Sequence, residues 1–224
     1  MAFRIWLVPA ALISLSATTA FAQPDHPTIV QPGAPGQNSK VLSSATIRVP
    51  ASEPTEADTK FMQGMIMHHS QAVEMTALMP SRTHNKRLLA FGKKISISQT
   101  DEIKFMQQWL SDHGKSVPTD HEIMMHMGNM KGMEHMDMGS MPMMPGMLTP
   151  EQMKALAKAK GAEFDRLFLT GMIQHHTGAL IMVKDLFDTP AAGQDGQLYD
   201  FATDVDNTQT AEIKLMQSML KEKQ

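Results

Sequence analysis

Two blocks of this chain recur in the same order, and that repetition narrows its possible folds more than any other feature. Asp58, Phe61, Met65, Ile66, His68, His69, Ala72 and Met75 return as Asp165, Phe168, Met172, Ile173, His175, His176, Ala179 and Met182, a DxxFxxxMIxHHxxAxxM pattern at identical internal spacing. A second block follows each copy: Gln99, Thr100, Glu102, Ile103, Lys104, Met106, Gln107 and Leu110 return as Gln209, Thr210, Glu212, Ile213, Lys214, Met216, Gln217 and Leu220. Apolar positions spaced by three and four residues are helical, and no run alternates as a strand does. The repeated unit is therefore a helix–loop–helix hairpin, with a slightly longer loop expected in the second copy. One hairpin cannot bury its apolar face alone, whereas two can close into a four-helix bundle, so the fold class is all-α.

On a helical wheel, Phe61, Met65, His68, Ala72, Met75 and Met79 share one stripe, with Asp58 and His69 toward its edge. Lys60, Gln63, Ser70, Gln71 and Glu74 take the opposite, polar side. The second copy gives the same wheel, with Leu186 in place of Met79. In the partner helices Gln99, Glu102, Met106, Trp109 and Leu110 face inward, as do Gln209, Glu212, Met216, Met219 and Leu220. The seam thus mixes imidazole, carboxylate, amide and thioether groups, which is costly to bury unless they satisfy one another or hold something.

The chain has 23 methionines and no cysteine, so any soft metal ligand in it is a thioether. Met65 lies three and four residues before His68 and His69, and Met172 stands likewise to His175 and His176, so each reaches the same ridge. Imidazole with thioether favours Cu(I) or Ag(I) over hard ions. The candidate bundle ligands are Met65, His68, His69, Met75, Met106, Met172, His175, His176, Met182 and Met216, with one histidine of each pair facing the axis and the other the rim. A methionine stripe is also what a plain core uses as filler. Glu102 and Glu212 fit either solvated rim positions or hydrogen-bond acceptors that orient the imidazoles. Asp58 and Asp165 read first as helix N-terminal residues.

Between the hairpins, residues 115–149 are of different material, HEIMMHMGNMKGMEHMDMGSMPMMPGM at their centre. Gly and Pro there work against a regular packed helix. His121, Met124, Met125, His126, Met127, Met130, Met133, His135, Met136 and Met138 are candidate ligands by composition. A spacer, or a Met-rich patch for a protein partner, is the other reading.

The first residues, MAFRIWLVPAALISLSATTAFAQP, read as an export signal over 1–22: Arg4, an apolar run from Ile5 to Leu15, then Ala20-Phe21-Ala22 before the cut. Residues 23–54 are linker-like and expected to be extended or disordered, and 55–224 form the bundle domain, as hairpins 55–114 and 150–224 around the loop. A membrane anchor is the other reading of this start, but its apolar run is shorter than the ~20 residues a span needs and no second long apolar stretch exists. A net charge of −3 carries no nucleic-acid footprint.

Enzyme motifs are missing. His121-Glu122 before His126 is one residue too long for HExxH, and the Glu-x-x-His pairs of di-iron bundles do not occur. No enzymatic activity is expected.

The two DxxFxxxMIxHHxxAxxM blocks and the stretch FDRLFLTGMIQHHTGAL resemble the bacterial domain-of-unknown-function family 305, which includes the CopM-type periplasmic copper-binding proteins. The resemblance spans about residues 55–224. It implies a ferritin-like four-helix bundle, export, and binding of copper or silver in metal tolerance, through Met65, His68, His69, Met172, His175 and His176. The expectation is a periplasmic buffer or chaperone for Cu(I), with Ag(I) or Cu(II) as further ions and another periplasmic copper-handling protein as recipient. A Met-rich protein-interaction module of the cell envelope and a ferritin-like metal-dependent oxidase are the alternatives.

Overall fold

The computed structural model describes residues 29–31, 36–42, 53–126 and 144–222. The chain divides into two units, Met1–Pro50 and Ala51–Gln224. The export signal read at 1–22 lies outside the described residues.

In the first unit, β1 (Ile29–Gln31) pairs antiparallel with β2 (Lys40–Leu42), setting Val30 opposite Val41. The sequence reading expected an arm without strands here. Branched Ile29, Val30 and Val41 suit extended backbone, and Gly36 supplies a left-handed residue (φ 86°) in the connection between them.

The second unit is all-helical: α1 (Glu56–Ala77), α2 (Lys86–Asp112), α3 (Asp120–His126), α4 (Pro150–Lys158), α5 (Gly161–Asp188) and α6 (Gly196–Lys221), with a 3-10 turn at Met79–Ser81. Local chemistry sets the starts. Thr55 and Asp58 form a capping box on α1, Thr149 and Gln152 another on α4, and Asn85 and Asp195 cap α2 and α6. Such caps each contribute about 1 kcal/mol. The start of α5 has no side-chain cap; instead the Gly161 amide donates to the Arg82 carbonyl (2.7 Å) between the first two long helices.

Short connections make α1 and α2 antiparallel neighbours, and α5 and α6 likewise, while α1 and α5 pack against each other. The second connection is not the longer one. It spans residues 189–195 against 78–85 in the first, and the additional chain continues α5 as far as Asp188, whereas α1 stops at Ala77. The aspartates of the repeat cross-link the pairs. Asp58 accepts the Gly193 amide (2.7 Å) before α6, and Asp165 accepts from the side chain of Asn85 (3.1 Å), the cap of α2.

Two apolar clusters form the core. One takes Phe61–Ile66 of α1 and Ala179–Leu186 of α5, with Met106 and Trp109; the other takes Ala72 and Met75 of α1, Met79 of the 3-10 turn and Phe164–Met172 of α5, with Met216 and Met219. Along both helices the break between clusters falls at the paired histidines, so the imidazoles make a polar layer between two apolar ones.

Candidate metal centre

All four histidines of the repeats are fully buried. The expectation that one of each pair would face the rim is therefore corrected: α1 and α5 each have a neighbour on both flanks of the ridge, so a 100° turn between adjacent residues still leads into protein. His68 and His175 meet at the α1–α5 contact with ring centroids 3.8 Å apart, and His69 and His176 lie outward at 6.3 and 6.1 Å from their neighbours.

Each ring is held through Nε2. His69 contacts Glu102 Oε2 (2.6 Å) and His176 contacts Glu212 Oε2 (2.7 Å). His175 contacts the His68 main-chain oxygen (2.8 Å), and His68 the Pro145 oxygen (3.0 Å). Carboxylates and carbonyls only accept, so Nε2 is the donor in every case and a neutral ring keeps its lone pair on Nδ1. The four Nδ1 atoms are buried and find no hydrogen-bond partner among the described residues. Buried polar atoms are seldom left so. Here the orphaned atoms are four nitrogen lone pairs of the kind a soft or borderline metal takes.

Burial and neighbouring charge keep the Nδ1 lone pairs of His68 and His175 free of protons. Burial, reinforced by the neighbouring His69 and His176, lowers the His68 pKa to about 3 against a weaker opposing effect of the Pro145 carbonyl. His175 is also held well below the usual imidazole value, first by burial and then by His68 and His176. For Glu102, burial raises the carboxyl pKa, but the hydrogen bond and charge of His69 and the Ser98 hydroxyl together outweigh it and leave the group below its ordinary value. Glu102 and Glu212 thus orient imidazoles, which resolves the two roles left open by the sequence.

Of the predicted thioethers, Met65, Met75, Met106, Met172 and Met216 are fully buried. Met65 and Met106 pack in one cluster, Met75, Met172 and Met216 in the other, and partly buried Met182 packs against the first. They line the apolar layers on either side of the imidazoles. Among the described residues, no three or more His, Asp or Glu side chains are arranged to hold a metal on their own. Gln99 and Gln209 are also buried with amide atoms unpartnered, Oε1 of Gln99 and both polar atoms of Gln209.

The central segment is partly helical, contrary to expectation. Thr119 and Glu122 cap each other (2.7 and 3.2 Å) to start α3, and Ile123 buries in the first core cluster. The Thr-x-x-Glu signature was legible in the sequence. On α3, His121 and Met124 are exposed. Met125 and His126 belong to the same helix, and Met127, Met130, Met133, His135, Met136 and Met138 lie outside the described residues.

Sequence reasoning also missed Gln71. The wheel put it on the polar side, yet it is buried, because the strand of chain leading into α4 covers it. Its amide accepts from Leu148 N (2.7 Å) and donates to Leu148 O (3.0 Å). Gln174 donates to the Met147 carbonyl (3.2 Å) in the same segment.

Fold and site together define a mostly helical protein with a buried imidazole layer set between methionines. Residues 58–220 match the model of the family described as Domain of unknown function (DUF305), and the chain belongs to that family. Among solved structures it is similar to a DUF305 protein from Streptomyces coelicolor described as a candidate secreted protein, at 28% identity and TM-score 0.60, covering 74% of this chain and 93% of that one. It is similar to CopM in the Cu(II)-bound form at 26% identity and TM-score 0.54, covering 75% and 97%. CopM in its silver-bound form gives 25% identity and TM-score 0.53, covering 74% and 96%. No curated protein matches the chain.

Proposed function

We propose that this protein binds soft metal ions in the periplasm, Cu(I) first and Ag(I) or Cu(II) as well, and buffers or hands them on in copper tolerance. It acts as a binding protein, not an enzyme, on a ferritin-like four-helix bundle made of two duplicated hairpins. The observation that carries the reading is the layer of four buried imidazoles, each donating from Nε2 and each with an unpartnered Nδ1. Neutral imidazole and thioether are the donors that soft ions prefer, and the carboxylates behind His69 and His176 raise ligand basicity. Similarity to CopM, crystallised with Cu(II) and with silver, supports the same class of ion. The export signal read at the N-terminus supports the compartment, and among the described residues no helix is long and apolar enough to cross a membrane. Delivery would be to another periplasmic copper-handling protein.

The test is anaerobic Cu(I) titration of the untagged mature chain beside a His68/His69/His175/His176→Ala variant shown by circular dichroism to remain helical. Loss of the tightest sites in the variant is expected. Unchanged stoichiometry and affinity would reject the bundle site. Deleting residues 127–143 in the same assay separates ions held by the Met-rich insert from those held by the bundle.

A further inference from the structure

Around the histidine layer α1 and α5 run antiparallel and match by the repeat. Met182 Cε lies 3.4 Å from where a Cβ on Gly64 would stand, and Met75 Cε lies 3.3 Å from the same point on Gly171. The returning end of the insert, Met144–Leu148, breaks this two-fold relation. It crosses the α1–α5 seam once, fixed by the paired hydrogen bonds of Gln71, by Gln174 and by His68. At Gly178 its backbone comes so close that a Cβ there would overlap the Pro145 carbonyl and lie 2.6 Å from Gly146 Cα. Gly146 itself turns with φ 77°.

The repeats differ where this strap rests. In register, Gln71 corresponds to Gly178 and Gln174 to Met67, so one copy supplies the clamp and the other the clearance. The strap also makes the two ends of the seam chemically unlike. At Gly64 the Met144 Sδ lies 3.3 Å from the Cβ position, beside Met182; at Gly171 the corresponding space holds the Leu148 side chain at 2.9 Å, beside Met75. One end therefore brings the Met144 sulfur and the methyl end of Met182 to one point, and the other the methyl end of Met75 and an isobutyl group.

We propose that Met144 and Met182 form a thioether site for a monovalent soft cation, Cu(I) or Ag(I), at the Gly64 end of the α1–α5 seam, with Gln71 as the positioning residue that holds the strap there. The Gly171 end has no counterpart, so the chain loads unequally despite its repeat. Thioethers are neutral and polarisable, suiting a soft ion of single charge. The inference takes the class of ion from the proposed function, but not its histidine site.

The experiment is Ag(I) titration of the full mature chain, followed by the ε-methyl resonances of the methionines and the ring resonances of the histidines. The Met144 and Met182 methyls are expected to shift together while Met75 lags. Met144→Leu should abolish the Met182 response and weaken this site at least about tenfold, and Gln71→Leu should weaken it about as much. The double variant should lose no more than either single one, because clamp and ligand act as a unit. An unmoved Met144 methyl at saturating Ag(I), or a Met182 response that survives Met144→Leu, would overturn the proposal even if the histidines respond. Responding methionines with silent histidines would uphold it and sink the histidine reading instead.

Discussion

His175 donates from Nε2 to the main-chain oxygen of His68 (2.8 Å), although that carbonyl lies in the middle of a helix, and the two rings sit 3.8 Å apart across the α1–α5 contact. A side chain of one repeat is thereby anchored to the backbone of the other. The contact fixes the tautomer of His175 through a group that no side-chain substitution in α1 removes, whereas the tautomer of His68 depends on Pro145 in the strap. Two histidines equivalent in sequence are held by unlike means.

Acid should destabilise the metal-free protein well above the carboxylate range. The folded-state pKa of His68 is near 3, and that of His175 is well below 6.5. The unfolded chain therefore takes up protons first as pH falls. Stability is full above about 6.5 and is lost as pH drops from there toward 3, by up to about 1.4 kcal/mol per pH unit for each histidine. The lowered Glu102 pKa acts in the same direction below 4.5. Urea unfolding at pH 7, 6 and 5 checks this, with His175→Leu expected to flatten the dependence. Equal stability at pH 7 and 5 would contradict the buried, neutral state of the rings.

The four long helices, their order and the histidine pairs were legible in the sequence, because a repeat at helical spacing reports one local period and one seam, whereas α3 was missed. What was not legible came from distant chain. Gln71 looks polar and exposed on its own wheel and is buried only because Leu148, far along the sequence, lies on it. His69 and His176 sat at the edge of the same wheel, and their full burial follows from helices closing on both sides of the ridge. The Pro-Gly-Met end of the insert showed only composition, while its docking depends on Gly178 in α5. In the N-terminal unit three-residue strands were too short to stand out from linker chemistry.

Glu102→Gln and Glu212→Gln should each weaken metal binding about 10- to 100-fold while leaving the helices intact. An amide is a poorer acceptor for the Nε2–H of His69 or His176 and carries no charge to raise the basicity of the opposite nitrogen. Because both carboxylates are partly exposed, at 25% and 18% of the side chain, the effect on stability should be small next to the effect on affinity. Competition with a Cu(I) chelator measures the first and thermal unfolding the second. A large fall in stability with unchanged affinity would assign these residues to folding alone.

Asp58→Ala should cost about 2 kcal/mol, because one carboxylate serves two ends of the fold. Its Oδ2 accepts the Thr55 amide to close the capping box of α1, and its Oδ1 accepts the buried Gly193 amide ahead of α6. Asp58→Asn retains an acceptor and should recover part of the loss. Chemical denaturation of the three proteins distinguishes this tie from a metal-ligand role, under which affinity for Cu(I) would fall and stability hold.

Gly178→Ala should be the most damaging of the small substitutions in α5. Alanine favours a helix over glycine by about 1 kcal/mol, so an unobstructed site would gain stability. At 178 the added carbon meets backbone on the opposing side, the Pro145 carbonyl and the Cα of Gly146, and neither can rotate away. The strap must lift, freeing the Gln71 amide and the Pro145 contact with His68, for a net loss of about 1–3 kcal/mol. Gly64→Ala is the control: its Cβ would meet only the ends of Met144 and Met182, at 3.3 and 3.4 Å, which flexible side chains can yield. Denaturant midpoints should therefore fall for Gly178→Ala and stay level or rise for Gly64→Ala, while Cu(I) binding should be altered in both, since each disturbs the strap where it meets the seam. If Gly178→Ala is as stable as the native chain, the strap does not rest on α5.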